Sequence, residues 1–193
     1  MKRLMVAAVL LVLVAAIVGG MYVSRRNQMV VMNQDVTAQW HQVDVVLQRR
    51  ADLIPNLVET VKGYAAQEQT VFGDIAKARS ALLSAPTPTD RIAANGVLDG
   101  ALGRLLAISE NYPQLKSNEN FLRLQDELAG TENRIAVERR RYNDLIRNYN
   151  AYVGIFPNNV FAQWGGFQPN NAYFTASDAS RVAPEVHFPA ATK

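Results

Sequence analysis

The stretch RRADLIPNLVETVKGYA, residues 49–65, has the apolar spacing of an amphipathic helix and a proline at its centre. Whether Pro55 bends that helix or ends it decides between a long rod and a bundle of shorter pieces. Proline removes one backbone donor and crowds the carbonyl four residues earlier, at a cost of about 3 kcal/mol in a helix interior. A reversal of direction normally uses left-handed turn residues such as glycine, and ADLIPNLV has no glycine. The apolar series keeps its phase across the proline, from Leu47 through the Arg50 slot to Ile54, Leu57 and Val61. Pro55 is therefore read as a kink within one continuous helix.

Working outward, the seam begins at Val36, Trp40 and Val43 and continues through Tyr64, Val71, Ile75, Ala78 and Leu82, with polar residues only at Arg50 and Glu68. Alternating steps of four and three mark a helix packed lengthwise on others at a shallow angle. The first helix is expected to run to about Leu82. APTPTD breaks it, and Thr87, Pro88 and Asp90 then supply an N-cap, a first-turn proline and a first-turn acid for a second helix. That helix carries Ala94, Leu98, Ala101, Leu105, Ile108 and Tyr112 in the same alternation and closes at Pro113. Its Gly96, Gly100 and Gly103 each weaken it by about 1 kcal/mol against alanine, which suggests close backbone approach. A third helix, about residues 118–155, places Phe121, Leu124, Leu128, Ile135, Tyr142, Leu145, Tyr149, Tyr152 and Phe156 in register, with polar slots at Thr131 and Glu138.

From Leu4 to Val23 the chain has no charged residue, about the 20 residues needed to cross a hydrocarbon core as a helix. A retained anchor is preferred on length; the competing reading is a cleavable secretory signal, with Lys2 and Arg3 as its basic start and Gly19 and Gly20 near its end. Tyr22 falls at an interfacial belt, just before Arg25 and Arg26. The short basic N-terminus favours N-terminus inside and body outside. The expected fold class is all-α: an N-terminal transmembrane helix continuing into a long-helix antiparallel bundle of three to four helices. The divisions are an anchor over residues 1–26, a bundle over 27–165 and a flexible or strap-like tail over 166–193, punctuated by Phe167, Tyr173, Phe174 and Phe188.

Three stretches resemble the LemA family closely: AQWHQVDVVLQRRADLIPNLVETVKGYA, ENYPQLKSNENFLRLQDELAGTENRIAVERRRYNDLIRNYN and FPNNVFA. The likeness covers about residues 27–165 and rests on long motifs. It implies a bacterial membrane protein with one N-terminal transmembrane helix, an all-helical bundle, no catalytic residues and a role in membrane organisation.

The composition narrows the chemistry. There is no cysteine, so thiolate ligands, thiol nucleophiles and disulfides are excluded. Four of the 20 basic residues flank the apolar run, leaving 16 basic against 17 acidic side chains in the body, so a polyanion such as nucleic acid is not an expected partner. His41 and Asp44 share a helical face, but a metal centre needs three or four donors and His187 lies far away in sequence. No metal or other cofactor is expected. Arg139, Arg140 and Arg141 point in three directions beside Glu138 and Asp144 and read as a surface with local ion pairs. Asp126 and Glu127 are adjacent, hence on different faces, and cannot work as an acid–base pair. No P-loop, G-x-S-x-G or dinucleotide fingerprint is present.

Three sets of residues remain as candidates. Trp40, Val43 and Leu47 lie beyond the reach of a second helix of about 36 Å running back along a first of about 90 Å, and are expected to mediate self-association. Glu68 and Arg104 fall at one height in an antiparallel hairpin and either pair to fix register or reach water separately. Tyr142-Asn143 and Tyr149-Asn150 repeat seven residues apart: core tyrosines with exposed amides, or amides forming a contact stripe for a partner chain. The expected function is a non-catalytic membrane-anchored scaffold or interaction module at the bacterial inner membrane, single-pass and homo-oligomeric, with its body periplasmic. The alternative is an adaptor or signalling subunit bound to another membrane protein.

Overall fold

Helix α1 runs from Lys2 to Lys62 with Pro55 inside it. In the computed structural model, which describes residues 1–175, five further helices follow: α2 Gln69–Ser84, α3 Pro88–Ser109, α4 Pro113–Lys116, α5 Glu119–Gly154 and α6 Asn158–Gly165. The described residues are all-α and contain no strand.

Pro55 thus leaves α1 unbroken, and the structure shows what relieves it. The carbonyl of Ala51, which loses its usual donor to the proline, accepts a hydrogen bond from Arg79 Nε of α2 at 2.8 Å. Ala51, Ile54 and Leu57 around it are buried, so an unpartnered carbonyl here would carry a desolvation penalty.

The far end of α1 differs from the expectation. The helix stops at Lys62, and Leu82 belongs to a separate helix that folds back. Residues 63–68 make the reversal through short-range bonds, Tyr64 and Ala65 N–H to Val61 O and Glu68 N–H to Ala65 O. Gly63 keeps an ordinary right-handed φ of −61°, so the chain reverses without a left-handed residue. Apolar spacing that continues through Tyr64 to Val71 hides the break, because α2 buries Phe72, Ile75, Ala78 and Leu82 at the same intervals against the same core.

Contacts fix the directions. Lys62 lies over the Phe72 ring and Arg79 reaches Ala51, so α2 is antiparallel to α1. Arg91 pairs with Asp44 and Asp99 with Arg50, so α3 runs parallel to α1. Along α5, Asn118 meets Tyr64, Glu132 meets Arg50, Glu138 meets Gln39 and Tyr152 meets Arg25, an antiparallel match over most of α1 outside its apolar start. The half of the body away from the N-terminus is therefore a four-helix bundle. Its core includes Leu47, Leu57, Val61, Ile75, Leu82, Leu98, Leu105, Phe121 and Ile135. In the nearer half α1 and α5 continue alone, joined by α6 and the extended residues 167–175.

The caps follow local chemistry. Thr87 Oγ1 accepts the Asp90 N–H at 3.1 Å, and Asn118 Oδ1 accepts the Phe121 N–H at 3.0 Å. Gly96, Gly100 and Gly103 do not admit a neighbouring backbone: open space lies where a Cβ would stand at each. Every residue from Met1 to Met21 is exposed, and burial on α1 begins at Tyr22. The apolar start of α1 has a mean hydropathy of 2.8 over its best window, long and apolar enough to cross a membrane. α3 reaches 1.2, but its Asp99 and Arg91 pair with α1 and its apolar face is core, which makes it a bundle helix.

The Ala51 carbonyl predicts a coupling. Arg79→Met should destabilise the protein by about 1–3 kcal/mol by orphaning that acceptor. In a Pro55→Ala background, where residue 55 regains its N–H, the same change should cost at least about 1 kcal/mol less. Thermal unfolding of the four variants measures the cycle, and equal costs in both backgrounds would show that the bond to Ala51 is incidental.

Candidate functional site

The body holds two polar constructions that join elements distant in sequence. The first surrounds Arg50, whose side chain is only 8% exposed although it occupies a seam position on α1. Its Nη1 lies 2.6 Å from Asp99 of α3 and 2.6 Å from Glu132 of α5, and it donates a hydrogen bond to Glu132 Oε2. Arg139, two turns further along α5, approaches both carboxylates at 3.8 and 3.9 Å. Asn95 Nδ2 donates to Asp99 Oδ2 at 3.0 Å. Two cations and two anions thus compensate one another across three helices. Burial pushes the Asp99 carboxyl above the usual aspartate range; Arg50 and Arg139 pull it down and Glu132 pushes it further up.

The second construction is a clasp on α5. Asn143 donates its amide to Phe174 O at 2.9 Å and accepts the Phe174 N–H at 3.0 Å. Two turns away, Asn150 treats Asn170 the same way, at 2.7 and 2.8 Å, and also donates to Tyr173 OH at 3.0 Å. Tyr149 OH donates to Gln168 O at 3.0 Å. Each asparagine imitates a peptide group, so the extended segment is held as a strand would be by a neighbouring strand. Its end delivers Phe174 into a cluster with Trp40 and Tyr142, at centroid separations of 6.2 and 6.0 Å, and under the Arg139 guanidinium at 5.0 Å. The clasp and the charge network therefore meet at Arg139.

These contacts correct the candidate residues. Val43 and Leu47 are fully buried within the chain, and Trp40 is half-buried against Tyr142, 5.4 Å away. The expectation of an uncovered face considered only the short second helix; α5, 36 residues long, and Phe174 supply the cover. Asn143 and Asn150 do not offer free amides to another chain, because the chain's own residues 170–174 occupy them. Tyr142 and Tyr149 are core residues, and burial raises both phenols above their ordinary value. Glu68 and Arg104 do not pair. Arg104 reaches Asp74 at 3.2 Å, and Glu68 accepts Tyr112 OH at 3.5 Å. Side chains lean toward the N-terminus of their own helix, so in an antiparallel hairpin two groups at equal height lean apart.

His41 is exposed, and Asp44, its expected face-mate, is engaged by Arg91 at 2.9 Å. Of the three arginines, Arg141 makes the expected local pair with Glu138 at 3.2 Å, whereas Arg139 turns inward. His187 and Phe188 lie outside the described residues. The Arg50 network was partly signalled by a polar residue in an otherwise apolar seam; its partners were not, since Asp99 and Glu132 look like ordinary surface acids until the helix directions are known.

Two expectations follow. A raised Asp99 means that, in the window between the ordinary value of 3.8 and its folded-state value, the folded protein holds a proton that the unfolded chain has already released. The resulting stabilisation is fully present below that value and lost as pH rises through the folded-state one. Asp99→Asn should remove this segment of the pH dependence of the melting temperature, and parallel curves for the two proteins would contradict it. Separately, Asn143→Ala and Asn150→Ala should each weaken docking of residues 167–175 by about 1–3 kcal/mol. In a Trp164→Phe background this opens Trp40 to acrylamide; unchanged quenching would mean that the clasp does not hold the segment.

The LemA family model matches residues 39–188. Magnetosome protein MamQ of Magnetospirillum gryphiswaldense is 28% identical, covering 95% of this chain and 77% of its own length. Magnetosome protein MamQ 2 of Paramagnetospirillum magneticum is also 28% identical, over 84% of this chain and 70% of its own. Protein LemA of Metamycoplasma hominis is 25% identical, over 83% and 74%. Two of the three stretches that resemble the family converge here, the first contributing Arg50 and the second Glu132, Arg139 and Asn143 to the two constructions. With a match over well more than half of its residues, the chain belongs to the LemA family.

Proposed function

We propose that this chain is a membrane-anchored, non-catalytic helical scaffold that assembles with copies of itself at the bacterial inner membrane, spanning it once with its body on the periplasmic side. The observation that carries the proposal is the continuity of α1, whose exposed apolar start and buried bundle seam form one helix without a break. A body borne on such a helix is held at a fixed distance from the bilayer, as a scaffold requires. The charged groups of the core compensate one another around Arg50, the pattern of a structural network. Relatives named as magnetosome proteins support a place in the organisation of a cellular structure. Since Trp40, Val43 and Leu47 are covered within the chain, self-assembly would use the outer faces of the body or the apolar helix.

Gentle detergent extraction followed by intact-mass measurement tests the assembly. The expected result is a multiple of the 21.4 kDa chain mass. A stoichiometric second protein would make the chain an adaptor subunit, and a strict monomer would refute self-assembly. For orientation, Lys2 and Arg3 favour an internal N-terminus. A C-terminal reporter active only in the cytoplasm should stay silent, and strong signal from the intact fusion would reverse the assignment.

A further inference from the structure

The end of the body nearest the apolar helix presents an apolar surface that the bundle does not use. Phe156 is 82% exposed, Trp164 66% and Ile155 56%, although each is a large hydrophobic side chain. They lie in the turn between α5 and α6 and on α6 itself, which is tied to the start of the buried part of α1. Tyr22 packs edge-on to Phe161 with centroids 6.0 Å apart and lies 6.4 Å from Trp164, while Arg25 donates to Tyr152 OH at 3.4 Å. Tyr22 stands in the last turn of the uncharged run Leu4–Val23, which at 1.5 Å per residue ends where a span of about 30 Å leaves the hydrocarbon core. The exposed aromatics are thereby set at the height of the bilayer surface.

The sequence around them is equally specific. From Asn148 to Ser177 the chain has no charged residue, so lipid contact at α6 desolvates no ion. The nearest charges on α1 are the cations Arg25 and Arg26, suited to anionic headgroups. We propose that α6 and the preceding turn form a second membrane contact. Trp164, Phe156 and Ile155 enter the headgroup and upper acyl region, while Arg25 and Arg26 lie among the lipid phosphates, so that the body rests on the bilayer by its end. The occupant of this surface is lipid, because the surface is continuous with the apolar helix and meets it at the membrane boundary. Aromatic side chains favour that zone, and an amphipathic helix lying in it is buried roughly 5–10 Å deep. Such a footing fixes the angle of the body to the membrane, which a single spanning helix leaves free to tilt.

This rests on the membrane-anchored reading, and the test separates the two. Trp40 and Trp164 are the two tryptophans of the chain, so full-length Trp40→Phe reports from Trp164 alone. The protein is reconstituted into vesicles of phosphatidylcholine and phosphatidylglycerol, with or without bromine on the acyl chains near the headgroup, and recovered by flotation. The expected result is emission from Trp164 at least about twofold weaker in the brominated vesicles, as for an indole at interfacial depth, with poor access to acrylamide. Trp164→Phe, reporting from Trp40, should show no bromine effect. Because Trp40→Phe alters a packed cluster, a second reporter uses the cysteine-free chain directly: Phe156→Cys carrying an environment-sensitive dye should respond to the bromines in the same way. Floating protein with Trp164 and position 156 unquenched by bromine overturns the second contact while leaving the anchor intact, whether the indole is open to acrylamide or covered by another copy. Protein that fails to float overturns both.

Discussion

Arg50 sets the heights of three helices at once. A guanidinium at a seam position of α1 is tolerated because Asp99 and Glu132 stand 2.6 Å away on α3 and α5. Sliding either helix by one turn, about 5.4 Å, would remove a carboxylate and leave a nearly buried cation short of compensation. Because Asp99 and Glu132 are partly open to water, at 36% and 43% exposed, the loss costs less than breaking a fully buried pair, about 3–5 kcal/mol. Leucine and isoleucine seams alone tolerate such slips, since one apolar layer resembles the next. The observed register of the four-helix half is the one that gives this off-centre charge both of its carboxylates. The same register brings Arg79 to Ala51 and Arg91 to Asp44.

The outline of the fold was legible in the sequence wherever the signal was local. Thr87 announced the start of α3 and its side chain caps as expected; the third helix was placed from about residue 118, where the Asn118 side chain proves to be the cap of α5. Leu47, Ile54, Leu57 and Val61 kept phase across Pro55, and the helix is continuous there. Spacing failed where two helices happened to share a phase. Val71, Ile75, Ala78 and Leu82 continue the seam numerically but lie on α2, and the break at residues 63–68 carries no left-handed residue to mark it. That error propagated: a first helix drawn to Leu82 placed Glu68 and Arg104 side by side and left Trp40 uncovered.

The candidate sites were less legible because they depend on direction as well as period. Arg50 was visible as a polar interruption, but nothing local distinguishes Asp99 or Glu132 from other acids. Asn143 and Asn150 were visible as a seven-residue repeat. Their partner is the backbone of residues 170–174, which has no side-chain pattern of its own. A helix that binds an extended segment through asparagine amides recognises peptide groups, and peptide groups are alike in every sequence.

The pairing of elements also sets how the body comes apart. α1 and α5 lie on each other over most of the body, and α2 and α3 form a hairpin docked on one half of that pair. The hairpin is linked to α1 by the Asp44–Arg91 pair, the Arg50 network and the bond from Arg79 to the Ala51 carbonyl. Were the hairpin to lift away as a local opening unit, that last bond would go with it, and the Ala51 carbonyl at the proline would be left to water. The long helix is then intact in outline but weakened at one point, with α5 alone to support it. Stiffness along the rod is therefore a state that the α2–α3 hairpin confers by docking, and a force pulling the body from the membrane would find its compliant point at Pro55.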